Sequence, residues 1–214
     1  MRDTDRLAEL PTRELIGRLA SGAPTPGGGS AAALAGAMAA ALVEMVAELT
    51  VGRGGAEADD AAVREIRSSA STRRHELVEL AELDARAYDA VIAARRLSRA
   101  TDAERAARSL RLADATREAT EIPLRVAEAA AEVLRLAGRI APVGNPHAVS
   151  DAGVAARLAA ASVHGALLNV RINLPSLAAE DLLRARAGSR VDELGAEASR
   201  SEDQVLAAVA TVME

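Results

Sequence analysis

The stretch PTPGGGSAAALAGAMAAALVEMVAELT, Pro24 to Thr50, contains two segments with opposite backbone demands. Its first six residues hold two prolines and three glycines, a composition that supports neither helix nor strand. From Ser30 onward the chain is dominated by alanine, the strongest helix former. Ser30 stands at the junction, where a hydroxyl suits a helix N-cap. The stretch therefore predicts a loop and then a long helix to about Thr50. Small side chains along Ala31–Val43 suit helices that approach closely, and one face of such a helix can bury against a partner helix.

The rest of the chain agrees. Half of the 214 residues are hydrophobic, yet there is no Phe or Trp and only one Tyr, Tyr88. The core must then be built from Ala, Leu, Val, Ile and Met, which suits helices better than sheets rich in aromatic and β-branched residues. Helices are expected from Thr12 to near Ser21-Gly22, and from Glu57 to about Leu97. There, Val63, Ile66, Leu77, Leu80, Leu83, Ala87 and Val91 recur mostly at three- and four-residue steps. A further helix is expected over Asp102–Ala137, kinked at Pro123, then one over Ser150–Val170. Two more should span Ser176–Ala187 and Val191–Val212. No strand is expected. The fold class is all-α: a single multi-helical bundle of long Ala-rich helices over residues 1–214, dimeric through a small-residue face.

Composition excludes several chemistries. With no Cys there are no disulfides, thiolate nucleophiles or Cys-bound metals. With no Lys there is no Schiff-base lysine. His75, His147 and His164 are too scattered for a metal motif. The net charge of −5 and the lack of aromatic stacking platforms argue against nucleic acid. Ala31–Val43 is too short to span a bilayer. Met1–Asp5 carries acids and no apolar signal region. A soluble, cytoplasmic protein is the expectation, with neither membrane nor nucleic acid as partner.

Two loops stand out. Pro26-Gly27-Gly28-Gly29-Ser30-Ala31 feeds directly into a helix N-terminus, where free N–H groups and the helix dipole suit an anion or a polar ligand edge. A tight packing loop with Ser30 as cap explains the same residues. It is not a P-loop, because no Lys follows. In Gly144-Asn145-Pro146-His147-Ala148-Val149-Ser150-Asp151, Ser150 can cap the next helix and Asp151 can face its dipole. Asn145 and His147 are left over from that role. Asp84 and Tyr88, four apart, share a helix face, as do Asn169 and Asn173. A solvated face accounts for the first pair; the second either holds the helix end or touches a ligand.

Taken together, these residues resemble the cyclodeaminase/cyclohydrolase family. Its P-x-P-G-G-G-S reads Pro24 to Ser30 here, and its M-V-x-x-x-T-x-G reads Met45 to Gly52, followed by Arg53. Its D-x-D-A-x-A-[FY] reads Glu82 to Tyr88, and its V-P-L reads Ile122-Pro123-Leu124. Its G-N-x-x-x-x-S-D and N-V-x-I-N-L read Gly144 to Asp151 and Asn169 to Leu174. The order is kept over nearly the whole chain. Glu82 replaces the first acid of D-x-D, and Leu97-Ser98-Arg99 replaces the usual L-P-K.

The resemblance implies an all-α homodimeric enzyme acting on a tetrahydrofolate derivative as substrate, with no permanently bound cofactor and no metal. It implies hydrolysis of 5,10-methenyltetrahydrofolate to 10-formyltetrahydrofolate, with Asp84 as the catalytic carboxylate. Gly28, Gly29, Ser30, Arg53, Glu82, Tyr88, Asn145, Ser150, Asp151 and Asn169 are the implied substrate-binding residues. Asp151 is a candidate partner for the pterin and Arg53 for the glutamate tail. The alternatives are a formimidoyltetrahydrofolate cyclodeaminase that releases ammonia, a relative recruited to a non-folate substrate, and a non-catalytic binding scaffold.

Overall fold

A computed structural model describes residues 6–52 and 57–214 of the chain. Among the described residues there are helices and turns but no strand. Six α-helices follow in order: α1 (Thr12–Leu19), α2 (Gly28–Glu48), α3 (Glu57–Arg96), α4 (Asp102–Ile140), α5 (Val149–Asn173) and α6 (Leu182–Met213). α2 packs against α3 on one side and α5 on the other, while α4 bridges α3 and α5 and α6 covers α4 and α5.

The alanines explain this arrangement. Ala33, Ala39, Ala40 and Ala47 of α2 and Ala152, Ala155, Ala156 and Ala159 of α5 are fully buried. Such small side chains let the two antiparallel backbones approach. Gly36 leaves room for Ser162, since a β-carbon there would lie 2.7 Å from Ser162 Oγ. Ser162 in turn donates to the Ala32 carbonyl at 2.7 Å, a polar stitch in an apolar seam. The larger buried side chains, Leu77 and Leu80 of α3 and Leu124, Val133 and Leu136 of α4, fill the space behind. Between α2 and α3, Glu44 pairs with Arg74 at 2.8 Å and Glu48 with Arg67. Both ion pairs join neighbouring helices.

Four details differ from the sequence expectations. α2 begins at Gly28, three residues early, with Gly27 rather than Ser30 as its N-cap. The three glycines let the backbone enter the helix without a capping side chain, and Ser30 is turned inward instead. α5 likewise begins at Val149 after Ala148, with no side-chain cap from Ser150. The capping bond lies one turn earlier, where Asn145 Oδ1 accepts from the His147 N–H at 3.0 Å. α4 remains one helix through Pro123 and reaches Ile140. The two expected C-terminal helices are one, α6, which starts after Asp181 and runs through Gly188. Buried Leu183, Ala187, Val191 and Leu194 keep an unbroken helical period across that glycine.

Candidate functional site

The Pro/Gly loop, the middle of α3 and the C-terminal part of α5 converge on one cavity of about 170 Å3. Its walls are Pro24, Thr25 and Gly27–Gly29 from the loop and start of α2, Asp84 and Tyr88 from α3, Ala119 from α4, and Asn169 and Asn173 from α5. Thr25 Oγ1 donates to Asp89 Oδ1 at 3.0 Å and so ties the loop to α3.

Asp84 is the only charged side chain among these walls. Burial pushes its carboxyl above the ordinary carboxylate range, and hydrogen bonds from the Ser30 side chain and backbone oppose that rise. Ser30 is fully buried. Its Oγ lies 2.9 Å from the Ala81 carbonyl and 3.1 Å from Asp84 Oδ2. A hydroxyl has one proton to donate. With Asp84 ionised, that proton serves the carboxylate. With Asp84 protonated, it turns to the Ala81 carbonyl and Oγ accepts from the carboxylic acid. Both protonation states are therefore satisfied with the same heavy-atom positions. Gly29 gives the carboxylate its room, since a β-carbon there would sit 2.2 Å from Asp84 Oδ1.

On the opposite wall, Asn169 Nδ2 donates to the Gly165 carbonyl at 2.9 Å and Asn173 Nδ2 to the Ala119 carbonyl at 2.7 Å. Each amide nitrogen is thereby engaged with main chain. The cavity then presents one carboxylate and two side-chain amides, with no Arg or His among its walls. Tyr88, the one aromatic residue of the chain, stands at the rim and is 45% exposed. A larger, open groove of about 550 Å3 between α3 and α4 has a different character. Its Arg73, Glu76, Glu132 and Arg135 neutralise one another in ion pairs.

Of the residues singled out in the sequence, Gly28, Gly29, Asp84, Tyr88 and Asn169 line the cavity. Ser30 lies behind Asp84. Glu82 is buried and does not line it; its Oε1 accepts from the Ala8 N–H at 3.3 Å and holds the N-terminal turn. Asn145 is buried at the other end of α2. Its N–H donates to Thr50 Oγ1 at 2.9 Å and its Nδ2 lies 3.5 Å from the Leu49 carbonyl. Ser150 and Asp151 open α5 at that same end, a helix length of about 30 Å from Gly28. Within one copy of the chain, these three are not gathered at Asp84. Arg53 falls outside the described residues. Thr25, Ala119 and Asn173 are cavity walls that the motifs alone did not assign. The four-residue step from Asn169 to Asn173 was the available signal for the last. Among the described residues, no group of three or more His, Asp or Glu is placed to hold a metal ion.

The fold and site define an all-helical protein with a half-enclosed carboxylate set against a glycine-rich helix start. Residues 11–191 match the formiminotransferase-cyclodeaminase family model. The chain is 42% identical over 176 residues to a methenyltetrahydrofolate cyclohydrolase of Methylorubrum extorquens, covering 82% of this chain and 83% of that one. It is 34% identical over 200 residues to the formimidoyltransferase-cyclodeaminase of Sus scrofa, covering 94% of this chain but only 37% of that longer protein. A crystal structure of a formiminotetrahydrofolate cyclodeaminase from Thermotoga maritima superposes with a TM-score of 0.84 at 27% identity, over 97% of this chain and all of that one. The chain belongs to the formiminotransferase-cyclodeaminase family.

Proposed function

We propose that the protein is a one-carbon folate enzyme that hydrolyses 5,10-methenyltetrahydrofolate to 10-formyltetrahydrofolate, with Asp84 as acid/base. The observation that carries this function is a cavity whose only charged wall is the half-buried carboxylate of Asp84. The methenyl bridge is a delocalised amidinium cation. A carboxylate and amide oxygens stabilise such a cation, whereas an Arg or His⁺ would repel it. Asp84 takes a proton from the attacking water as its oxygen bonds to the bridge carbon, that proton passes to N5 as the N5–C bond breaks, and the remaining hydroxyl proton leaves to solvent as the formyl carbonyl forms. One formyl group remains on N10. The carboxyl's raised affinity for protons brings it closer to the working pH of a general base. The free N–H groups at the start of α2 supply donors for the developing formyl oxygen. A cavity of about 170 Å3 holds the reacting ring, with the remainder of the substrate passing over the Tyr88 rim.

The similarity of the Methylorubrum extorquens enzyme supports hydrolysis. That of the Sus scrofa and Thermotoga maritima proteins supports the second reading, cyclisation of 5-formiminotetrahydrofolate with release of ammonia. Both reactions pass through a bridged N5–C–N10 centre and need the same proton carrier. Purified protein is to be offered each substrate in parallel. Faster loss of methenyltetrahydrofolate absorbance than in buffer supports hydrolysis. Ammonia released from the formimino substrate alone replaces it with the cyclodeaminase.

The proposal includes a homodimer in the cytoplasm, paired through the outer face of α2 and α5. By length and composition, α2 and the segment Pro146–Ser176 are apolar enough to cross a membrane, yet only 56% of each such window is buried within the chain. Met38, Val154, Leu168 and Ile172 are exposed on these helices. Two adjacent helices about 30 Å long and about 10 Å apart offer about 600 Å2, near the roughly 800 Å2 per partner of a stable interface. A two-fold axis crossing α2 near its middle brings the Asn145–Asp151 end of one copy to the Asp84 end of the other. Met38→Glu is expected to yield monomers in sedimentation velocity and lower activity. An unchanged dimer would remove this interface.

A further inference from the structure

Pro123 lies inside α4 and is buried. Proline carries no N–H, so the carbonyl four residues earlier, that of Ala119, loses its helical partner. A buried carbonyl without a partner is costly, and it takes one from elsewhere. That partner is Asn173 of α5, whose Nδ2 donates to it at 2.7 Å. Ala119 and Asn173 are both walls of the Asp84 cavity.

The carboxamide is planar. Fixing Nδ2 on Ala119 therefore fixes the direction of Oδ1. No hydrogen bond within the described residues engages this oxygen, and no buried side-chain polar atom is left without a partner. Oδ1 is thus open to the cavity. A proline in mid-helix and an asparagine on the facing helix form one device, in which the gap left by the first is filled by the second.

We propose that Asn173 is a substrate-binding residue, its Oδ1 accepting a hydrogen bond from an N–H of a nitrogen heterocycle, and that Pro123 is the positioning residue that aims it. This rests on the folate reading for the identity of the heterocycle. A purely structural tie between α4 and α5 makes the opposite prediction for Pro123. Restoring an N–H there would strengthen α4 and leave substrate binding alone.

The test is Pro123→Ala, which returns a donor to the Ala119 carbonyl in competition with Asn173. Melting temperature is expected to hold or rise while KM for methenyltetrahydrofolate rises about threefold to tenfold, the loss of one hydrogen bond, with kcat little changed. Asn173→Ala is expected to raise KM similarly, and the double variant no further, because the two act through one contact. An unchanged KM in Pro123→Ala, or effects that add in the double variant, overturns the positioning role. Calorimetric binding of 5-formyltetrahydrofolate supplies a readout independent of turnover. A wild type that binds this probe yet does not turn over methenyltetrahydrofolate removes the proposed reaction, and weaker binding by Asn173→Ala still supports the inference. Equal affinity in wild type and Asn173→Ala overturns the inference whatever the activity.

Discussion

Gly29 and Asp84 are in such close register that any side chain on the first would occupy the place of the second's carboxylate. A β-carbon at Gly29 would fall 2.2 Å from Oδ1 and 2.6 Å from Oδ2 of Asp84. The start of α2 and the middle of α3 are therefore fitted around that carboxylate. Gly29→Ala must displace it. Overpacking of this kind costs about 1–3 kcal/mol of stability. A displacement of about 1 Å costs about 100-fold in rate. Denaturant melts and kcat on methenyltetrahydrofolate measure the two. A variant with full activity would show that the carboxylate's position is immaterial.

Ser30 is expected to hold down the proton affinity of Asp84. It is the only side chain that opposes the effect of burial on this carboxyl. Ser30→Ala removes a donor to the ionised form, so the carboxyl binds its proton at higher pH. The acid limb of kcat/KM then moves upward, by about one pH unit for a hydrogen bond to a charged group. Ser30→Thr retains the hydroxyl and is expected to return the limb toward its original place. An unmoved limb in Ser30→Ala would contradict this.

The same carboxyl has a cost for folding. Its proton affinity is raised in the folded protein, so its contribution to stability is present at low pH and is lost as pH rises through the folded-state value. At neutral pH the half-buried charge is expected to be a net burden. Asp84→Asn is expected to melt at a higher temperature than wild type at pH 7, with the gap closing as pH falls toward 4. A lower melting temperature at pH 7 would mean that the ionised carboxylate, beside the start of α2, is a net stabiliser.

At the far end of α2, Thr50 Oγ1 accepts the backbone N–H of buried Asn145 and donates to the Val46 carbonyl at 2.6 Å. Thr50→Val leaves that N–H without a partner, at about 1–3 kcal/mol. A fall of about 2–4 °C in melting temperature per kcal/mol follows for a chain of this size. Calorimetry decides it; no change would show that the turn relaxes to solvate the group.

The bundle was legible in the sequence because its signals are local. Alanine runs, three- and four-residue apolar steps and paired Pro/Gly breaks act within a few residues. The starts of α2 and α5 were misplaced because Ser30 has capping chemistry but a different duty, and Ser150 makes no capping bond. Ser30 serves Asp84 across 54 positions of sequence, a contact no local rule contains. The split at Gly188 failed because packing of Val191 and Leu194 outweighs the cost of one helical glycine. The site was legible in part. Asp84, Tyr88 and the glycines came from motif order, whereas Asn173 depends on a carbonyl exposed by Pro123 on another helix.

The central claim is that Asp84 moves the proton in hydrolysis of the methenyl bridge. Its most direct measurement is the initial rate of methenyltetrahydrofolate absorbance loss at neutral pH, for wild type and for Asp84→Asn. The expected result is a wild-type rate well above buffer and a fall of about 100- to 10,000-fold in the variant, the range for losing a general acid/base. Equal rates in the two proteins, or a wild type no faster than buffer, would contradict the account.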